Sequence, residues 1–289
     1  MRIIRYQKTN GSKQLAAVTE DSAIYPLPYK DFLALIEQAE THKVSCLSLV
    51  MQTVNRSQPI EKHLEDLTLL VPIDAYEVWA SGVTYRRSKD ARNFEAKTTS
   101  ESFYDKVYTA ERPELFLKST SRRTVGPHTP IYLRTDSHWQ VPEPELGLVL
   151  NRKGEILGYT IGNDLSSRDI EGENPLYLSQ AKIWRNSCAI GPAIRLAETV
   201  DDPYRLSIFC RIYREGRKVF EDWGSTSQLE RQYDELVSYL MKDNVIFNGT
   251  VLLTGTCIVP GNDFTLREGD QVEIEIPEIG ILVNPVKEQ

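Results

Sequence analysis

The chain has 289 residues, of which 40% are hydrophobic and 26% are charged. These values are ordinary for a folded globular protein and exclude global disorder, and the length suits one large domain or a large domain plus a small one. Lysine and arginine number 34 against 41 aspartates and glutamates, which gives a net charge of −7. This balance argues against a nucleic-acid partner, because phosphate contacts need clustered basic residues.

Cellular location is predicted from apolar runs and cysteine spacing. No apolar run approaches the roughly 18 residues of a transmembrane helix, so no membrane partner is expected. The first residues carry no apolar segment of the secretory type. The four cysteines show no C-x-x-C spacing and suggest reduced thiols in a cytoplasmic protein; they are Cys46, Cys188, Cys210 and Cys257.

The N-terminal part, residues 1–70, is predicted to form a small α/β domain. Apolar runs at 1–6 and 15–18 are typical of short strands. A stripe of apolar residues over 29–39 recurs at nearly helical spacing. Residues 71–289 would then form the main domain.

The chain beyond residue 75 is dominated by short apolar runs separated by turn residues. Such closely spaced strands favour a β-rich sandwich or roll over a doubly wound sheet. One helix is predicted over 227–242, where apolar side chains form a stripe. The polar stretch 90–108 fits either a surface helix or a mobile cover. The predicted strands are 77–80, 131–133, 146–150, 156–161, 207–213, 251–253 and 272–276.

Three carboxylates form the most informative pattern. Glu143 and Glu145 are two residues apart at the start of an apolar run, so in a strand they share one face. Asp164 stands at the end of the next predicted strand. Like charges this close raise each other's pKa unless a positive charge compensates, and a hard cation with oxygen ligands would do so. Solvated acids on an exposed strand, with Asp164 starting a turn, explain the spacing equally well.

Other familiar catalytic patterns are missing from the sequence. None of the four histidines has the paired spacing of a zinc site; they are His42, His63, His128 and His138. There is no G-x-S-x-G nucleophile motif, no phosphate-binding P-loop and no G-x-G-x-x-G dinucleotide motif. Zinc-hydrolase, serine-hydrolase and nucleotide-dependent functions therefore have little support.

Five ordered segments resemble the signature of the fumarylacetoacetate hydrolase superfamily. The resemblance is specific because the segments occur in a consistent order from about residue 79 to the end of the chain. They are P-E-P-E-L-G at 142–147, G-Y-T-I-G-N-D-L-S-S-R-D at 158–169, Lys182 followed by Gly-Pro at 191–192, T-G-T at 254–256 and P-E-L-F-L-K at 113–118.

The resemblance implies an α+β, β-rich fold: a mixed β-sandwich roll with a small N-terminal domain, in a homo-oligomer of two or four chains. It also implies a divalent metal, usually Mg²⁺, on Glu143, Glu145 and Asp164, although Mn²⁺ or Ca²⁺ would suit oxygen ligands as well. The family's lysine and threonine correspond to Lys182 and Thr256. Its members act on small 2-oxo acids.

One departure from the family pattern bears on the reaction. Hydrolases of the family carry a histidine that activates water, and Ser88 stands at that position. Serine cannot act as a general base near neutral pH without an activating partner, so hydrolysis of a C–C bond is in doubt.

Further stretches at 112–116, 134–137 and 171–177 resemble the 2-keto-3-deoxy-D-arabinonate dehydratase branch of the family. That resemblance implies conversion of 2-dehydro-3-deoxy-D-arabinonate to 2,5-dioxopentanoate and water, in pentose oxidation. The alternatives are an acylpyruvate hydrolase, an oxaloacetate decarboxylase, or a protein that binds 2-oxo acids without catalysis.

Four side chains are candidates for contact with the substrate. We expect Glu114 to transfer protons and Lys182 to lie near the enolate oxygen, where a neighbouring dication would lower its pKa. Thr256 and nearby backbone amides would bind the substrate carboxylate, and Arg86 is a further possible contact. Three of them have a structural alternative: Glu114 could pair with a neighbouring basic residue, Lys182 could hold a metal-ligating carboxylate, and Thr256 could be an ordinary strand residue.

Overall fold

The computed structural model describes residues 1–95 and 107–289. Its principal helices are α1 (Phe32–His42), α2 (Cys46–Val54), α3 (Arg86–Glu95), α4 (Arg168–Glu173), α5 (Leu178–Lys182) and α6 (Tyr233–Met241). Its strands are β1 (Arg2–Gln7), β2 (Lys13–Val18), β3 (Ile24–Pro26), β4 (Thr68–Leu69), β5 (Glu77–Gly82), β6 (Glu114–Thr120), β7 (Thr124–Val125), β8 (Ile131–Tyr132), β9 (Gln140–Val141), β10 (Pro144–Leu150), β11 (Ile156–Asp164), β12 (Ser166–Ser167), β13 (Cys188–Leu196), β14 (Ser207–Arg214), β15 (Arg217–Ser225), β16 (Thr250–Thr256), β17 (Gln271–Ile276) and β18 (Gly280–Lys287).

The strands form two main sheets and one short pair. An 11-stranded sheet runs in the order β3-β2-β1-β13-β11-β10-β16-β5-β6, with β4 beside β1 and β7 beside β13. A five-stranded sheet has the order β15-β14-β17-β18-β8, and β12 pairs with β9. Most pairs are antiparallel, but β16–β5, β13–β7 and β18–β8 are parallel. The predicted α+β, β-rich class with mixed strands is confirmed.

The large sheet lies between two hydrophobic layers. Every residue of β10 is buried, and its side chains alternate between two cores: Leu146 and Leu148 belong to one, and Val149 belongs to the other. The first core includes Ile274 of the five-stranded sheet. The second includes Phe32 of α1. A strand covered on both faces has a continuous apolar run instead of alternating polarity, which is the pattern seen in the sequence here.

The N-terminal strands extend the large sheet. β1 pairs antiparallel with β13, with Arg2 opposite Arg195 and Ile4 opposite Ala193. Hydrogen bonding therefore continues across the predicted boundary near residue 70, and the division into domains 1–70 and 71–289 stays a prediction.

The predicted helix over 227–242 begins later than expected. Residues 226–228 form a single 3₁₀ turn, in which the Ser225 hydroxyl accepts a hydrogen bond from the Ser227 amide at 3.2 Å. Leu229 then forms a β-bridge with Tyr85, so it contributes to the apolar stripe without being helical. The helix starts at Tyr233.

The polar stretch predicted over 90–108 is described only in part. Residues 86–95 are helical, whereas 96–106, the middle of the stretch predicted as a surface helix or cover, lie outside the described residues. Within the described ranges, no helix combines the length and the apolar character needed to cross a lipid bilayer.

Candidate active site

Two neighbouring strands bring the three predicted carboxylates together. β10 and β11 are antiparallel, with Glu145 opposite Gly162. The pairing extends one step further, because the Asp164 amide donates a hydrogen bond to the Glu143 carbonyl at 3.0 Å. One carboxylate oxygen from each of Glu143, Glu145 and Asp164 lies within 4.8 Å of the others, and all three residues are buried.

Three buried cations surround two of these carboxylates. Lys182 Nζ lies 2.6 Å from Glu143 Oε2 and 3.4 Å from Asp164 Oδ2. Arg168 Nη2 lies 2.9 Å from Glu143 Oε1, and Lys118 Nζ lies 2.7 Å from Asp164 Oδ1. Buried charges are costly unless they are paired, so these ion pairs offset the cost of burying the Glu143 and Asp164 side chains.

Glu145 has a different environment. Its Oε2 accepts a hydrogen bond from the Gly255 amide at 2.6 Å, and no ion pair joins its carboxylate to a lysine or arginine among the described residues. Burial, together with the charges of Asp164 and Glu143, raises the pKa of the Glu145 carboxyl well above its ordinary value. An all-oxygen cluster with one uncompensated carboxylate fits a hard divalent cation such as Mg²⁺.

Gly255 can donate to Glu145 because it has no side chain. Its φ of +93° is a conformation that favours glycine, and a Cβ atom there would lie 1.9 Å from Thr84 Oγ1. The register between β10 and β16 shifts just beyond Glu145, where Gly255 lies. This irregularity directs a backbone N–H at the carboxylate.

Lys118 was not among the predicted site residues, although it ends the P-E-L-F-L-K segment. The register between β5 and β6 shifts between Val78 and Trp79, which leaves Lys118 without a partner in β5. Such a bulge redirects a side chain, and here Lys118 Nζ reaches the Leu165 carbonyl at 2.7 Å as well as Asp164. Arg168 also belongs to a family-like segment, at 158–169, but was not predicted as a site residue. Its contact with Glu143 depends on the position of α4, which the motif alone does not give.

Glu114 lies on a strand that reaches the cluster. It is the first residue of β6 and faces Gly82 of β5. A Cβ atom on Gly82 would lie 2.0 Å from Glu114 Oε2, so the carboxylate occupies the space that the glycine leaves. Phe116 shares this face of β6, and its ring centroid lies 5.5 Å from Lys182 Nζ. The face of β6 that carries Glu114 is therefore directed towards the carboxylate cluster.

The remaining predicted contacts are placed differently. Thr256 is buried opposite Glu145, and its hydroxyl donates to the Ile258 carbonyl at 3.0 Å and accepts from the Ile258 amide at 3.2 Å. Arg86 begins α3 with an exposed side chain, and no described contact joins it to the carboxylates. Ser88, two residues further along α3, is buried.

Removing the charge of Glu145 should stabilise the metal-free protein. Its raised pKa means that the unfolded chain releases this proton at lower pH than the folded chain, so the contribution of Glu145 to wild-type stability falls as pH rises above the ordinary value of 4.5. We expect metal-free Glu145→Gln to melt higher than wild type at pH 7, by about 2–4 °C per kcal/mol. The gain should shrink towards pH 4.5, and stabilisation by Mg²⁺ should be lost.

Thermal denaturation in EDTA and in Mg²⁺ across this pH range measures both effects. Glu111→Gln, at an exposed position, is the control and should change neither. A metal-free Glu145→Gln protein that melts below wild type at pH 7 would contradict the proposed excess of buried charge.

Comparison with known proteins identifies the family of this chain. Residues 77–287 match the model of the fumarylacetoacetate (FAA) hydrolase C-terminal family. A probable 2-keto-3-deoxyxylonate dehydratase of Haloferax volcanii is 44% identical over 282 residues, with 96% of each chain covered. The 2-dehydro-3-deoxy-D-arabinonate dehydratase of Saccharolobus solfataricus is 42% identical over 278 residues, covering 94% of this chain and 92% of that one.

A solved structure extends the agreement to the whole fold. It is 2-keto-3-deoxy-D-arabinonate dehydratase complexed with magnesium and 2,5-dioxopentanoate, and it matches with a TM-score of 0.84 at 41% identity, covering 100% of this chain and 99% of that one. The resemblance found in the sequence motifs is confirmed, and the chain belongs to the fumarylacetoacetate hydrolase family.

Proposed function

We propose that this protein is a Mg²⁺-dependent dehydratase of a 2-keto-3-deoxy sugar acid, converting 2-dehydro-3-deoxy-D-arabinonate to 2,5-dioxopentanoate. The observation that carries the proposal is the buried cluster of Glu143, Glu145 and Asp164 in a chain that matches dehydratases over nearly its full length. The matching solved structure holds magnesium and the product of this reaction.

In this proposal the three carboxylates hold the metal and the cations hold the carboxylates. Bound there, a divalent cation would act as a Lewis acid that polarises the 2-keto group of the substrate. Lys182 and Arg168 contact opposite oxygens of Glu143, which limits rotation of that carboxylate. Such outer partners orient metal ligands and raise metal affinity.

Glu114 is proposed to move protons between carbon and oxygen of the substrate. It would take a proton from C3, and its protonated form would then protonate the C4 hydroxyl, so that the C4–O bond breaks and water leaves. The unsaturated 2-oxo acid that remains has the same composition as 2,5-dioxopentanoate and tautomerises to it. Lys182, fully buried between Glu143 and the ring of Phe116, would stabilise negative charge that develops on the substrate.

Binding of the substrate carboxylate is assigned to the end of β16. Thr256 lies opposite Glu145, and its hydroxyl would turn from the Ile258 carbonyl towards the substrate. Arg86 is proposed as a second contact, approaching from the exposed start of α3.

The alternative reactions make different demands on α3. Hydrolysis of an acylpyruvate needs a base to activate water, and the buried hydroxyl of Ser88 is a poor base. Dehydration needs no activated water, so the residues present suffice. Oxaloacetate decarboxylation and binding without catalysis make no demand on Ser88, and they are outcomes of the assay below.

A turnover assay tests the function directly. Synthetic 2-dehydro-3-deoxy-D-arabinonate should yield 2,5-dioxopentanoate in Mg²⁺, and EDTA should reduce the rate at least about 100-fold because the Lewis acid is removed. Added Mg²⁺ should restore it. A folded sample that binds pyruvate through Mg²⁺ but forms no product would reject the substrate, and acylpyruvates and oxaloacetate would then be screened. Binding without turnover of any of them would favour a binding protein.

The role of Glu114 can be separated from metal binding. Glu114→Gln should lower kcat about 10²- to 10⁴-fold, the usual contribution of general acid–base catalysis, with the Kd for Mg²⁺ unchanged. Gly82→Ala should have a similar effect with Glu114 still present, because the new methyl group occupies the place of the carboxylate. Glu111→Gln, at the exposed position three residues earlier, is the control. Wild-type kcat in Glu114→Gln would exclude it as the acid–base residue.

We also propose that the enzyme is a cytoplasmic homo-oligomer of two or four chains. The outer face of the five-stranded sheet supports association, because Trp223 is 60% exposed and Ile281 is 45% exposed there. The four cysteines are all unpaired and buried, which suits a reducing compartment. Light scattering should give two or four times the mass of one chain, and the mass of a single chain would reject the oligomer.

A further inference from the structure

Asp169 is the acceptor at the centre of a small hydrogen-bond network beside the site. Its Oδ1 accepts from the Ser137 hydroxyl at 2.6 Å, the Ser167 hydroxyl at 2.9 Å and the Ile170 amide at 3.0 Å. Its Oδ2 accepts from the His138 amide at 2.6 Å. The two bonds from Ser137 and His138 join the loop before β9 to the start of α4, and the other two lie within the segment that contains Asp169.

The network encloses the backbone of Arg168. Arg168 stands between Ser167 and Asp169, and its amide donates to the Trp139 carbonyl at 2.8 Å. Ser167 also pairs with Gln140 in the two-stranded β9–β12 sheet. α4 has only six residues, and a helix this short has little stability of its own. Its position must therefore be set by contacts such as those of Asp169.

The ionised Asp169 carboxylate is suited to fixing the position of α4, because it can accept hydrogen bonds on both oxygens. Burial disfavours its charged form, but the donors from Ser137, His138 and Ser167 outweigh burial and hold the pKa of Asp169 below its ordinary value. An amide at this position cannot replace it, because an Asn side chain would present an N–H₂ group to one of the N–H or O–H donors.

We propose that Asp169 is a positioning residue for the dehydratase site: by holding the backbone of Arg168 it fixes the Arg168–Glu143 contact, and thereby sets the affinity for Mg²⁺. This inference rests on the proposed function, since it assumes that Glu143 binds the metal. Asp169 lies outside the carboxylate cluster and acts through Arg168, whose guanidinium is 2.9 Å from Glu143. A partner one step removed from the ligand typically changes metal affinity 10- to 100-fold.

A double-mutant cycle distinguishes this role from simple stabilisation of α4. Calorimetric titration of the metal-free protein with MgCl₂ would give the Kd for Mg²⁺ of wild type, Asp169→Asn, Arg168→Met and the double variant. We expect each single change to raise the Kd about 10- to 100-fold. The Kd of the double variant should be little higher than that of the single variant with the higher Kd, because both changes remove the same contact.

A matched control comes from the same loop. Asp136→Asn removes an exposed carboxylate that pairs with Arg134 at 2.6 Å, and it should leave the Kd within about twofold of wild type. Ser137→Ala removes only one donor to Asp169, and should raise the Kd for Mg²⁺ by a smaller factor than Asp169→Asn does. It provides the measurement if Asp169→Asn does not fold, as judged by circular dichroism.

The outcomes separate this inference from the function on which it rests. An unchanged Kd in Asp169→Asn, or additive effects in the double variant, would overturn the positioning role while leaving the dehydratase proposal intact. If Asp169→Asn does not fold, an unchanged Kd in Ser137→Ala would likewise overturn it. A wild-type protein that does not bind Mg²⁺ would overturn both. Non-additive loss of affinity would support the inference.

Discussion

The structure around the site depends on one electrostatic constraint, which is the burial of three carboxylates within 4.8 Å of one another. Two like charges 4 Å apart repel by about 4 kcal/mol at an effective dielectric constant of about 20, so the cluster needs positive groups aimed at it. The fold supplies them where regular structure is interrupted. A bulge in β6 directs Lys118, the last residue of α5 is Lys182, and the first residue of α4 is Arg168. No described lysine or arginine pairs with the Glu145 carboxylate, and its uncompensated negative charge is suited to a dication.

The carboxylates could be predicted from sequence because their arrangement is local. Glu143 and Glu145 share a face through the two-residue period of a strand, and Asp164 comes from the strand that follows and pairs with it. Lys118 could not be selected in the same way, since a bulge and a contact across 46 residues of chain bring it to Asp164. Arg168 belongs to a recognisable sequence motif, but the direction of its side chain depends on hydrogen bonds between α4 and a loop about 30 residues earlier in the chain.

The fold likewise divides into elements that local sequence predicts and elements that it does not. Strands with plain apolar runs, such as β10 and β14, were predicted close to their observed bounds. β13 was not predicted, because Gly191 and Pro192 in its middle are residues typical of turns. The helix expected from residue 227 starts at Tyr233 because periodicity alone does not distinguish a helical residue from one in a bridge. Local patterns favoured a β-rich sandwich or roll, and the family resemblance specified a mixed sandwich roll with a small N-terminal domain.

The position of β10 between two cores has a consequence for the life of the enzyme. Folding buries apolar side chains on both faces of this strand, and the same step forces Glu145 into a charged interior. The apolar free energy of folding therefore holds the carboxylates in place before any metal arrives, so that capture of the ion relieves repulsion and requires little rearrangement. A ligand that binds only the folded state stabilises it by mass action. The magnesium concentration around the protein would then govern how long each molecule resists unfolding and proteolysis, in addition to how fast it turns over.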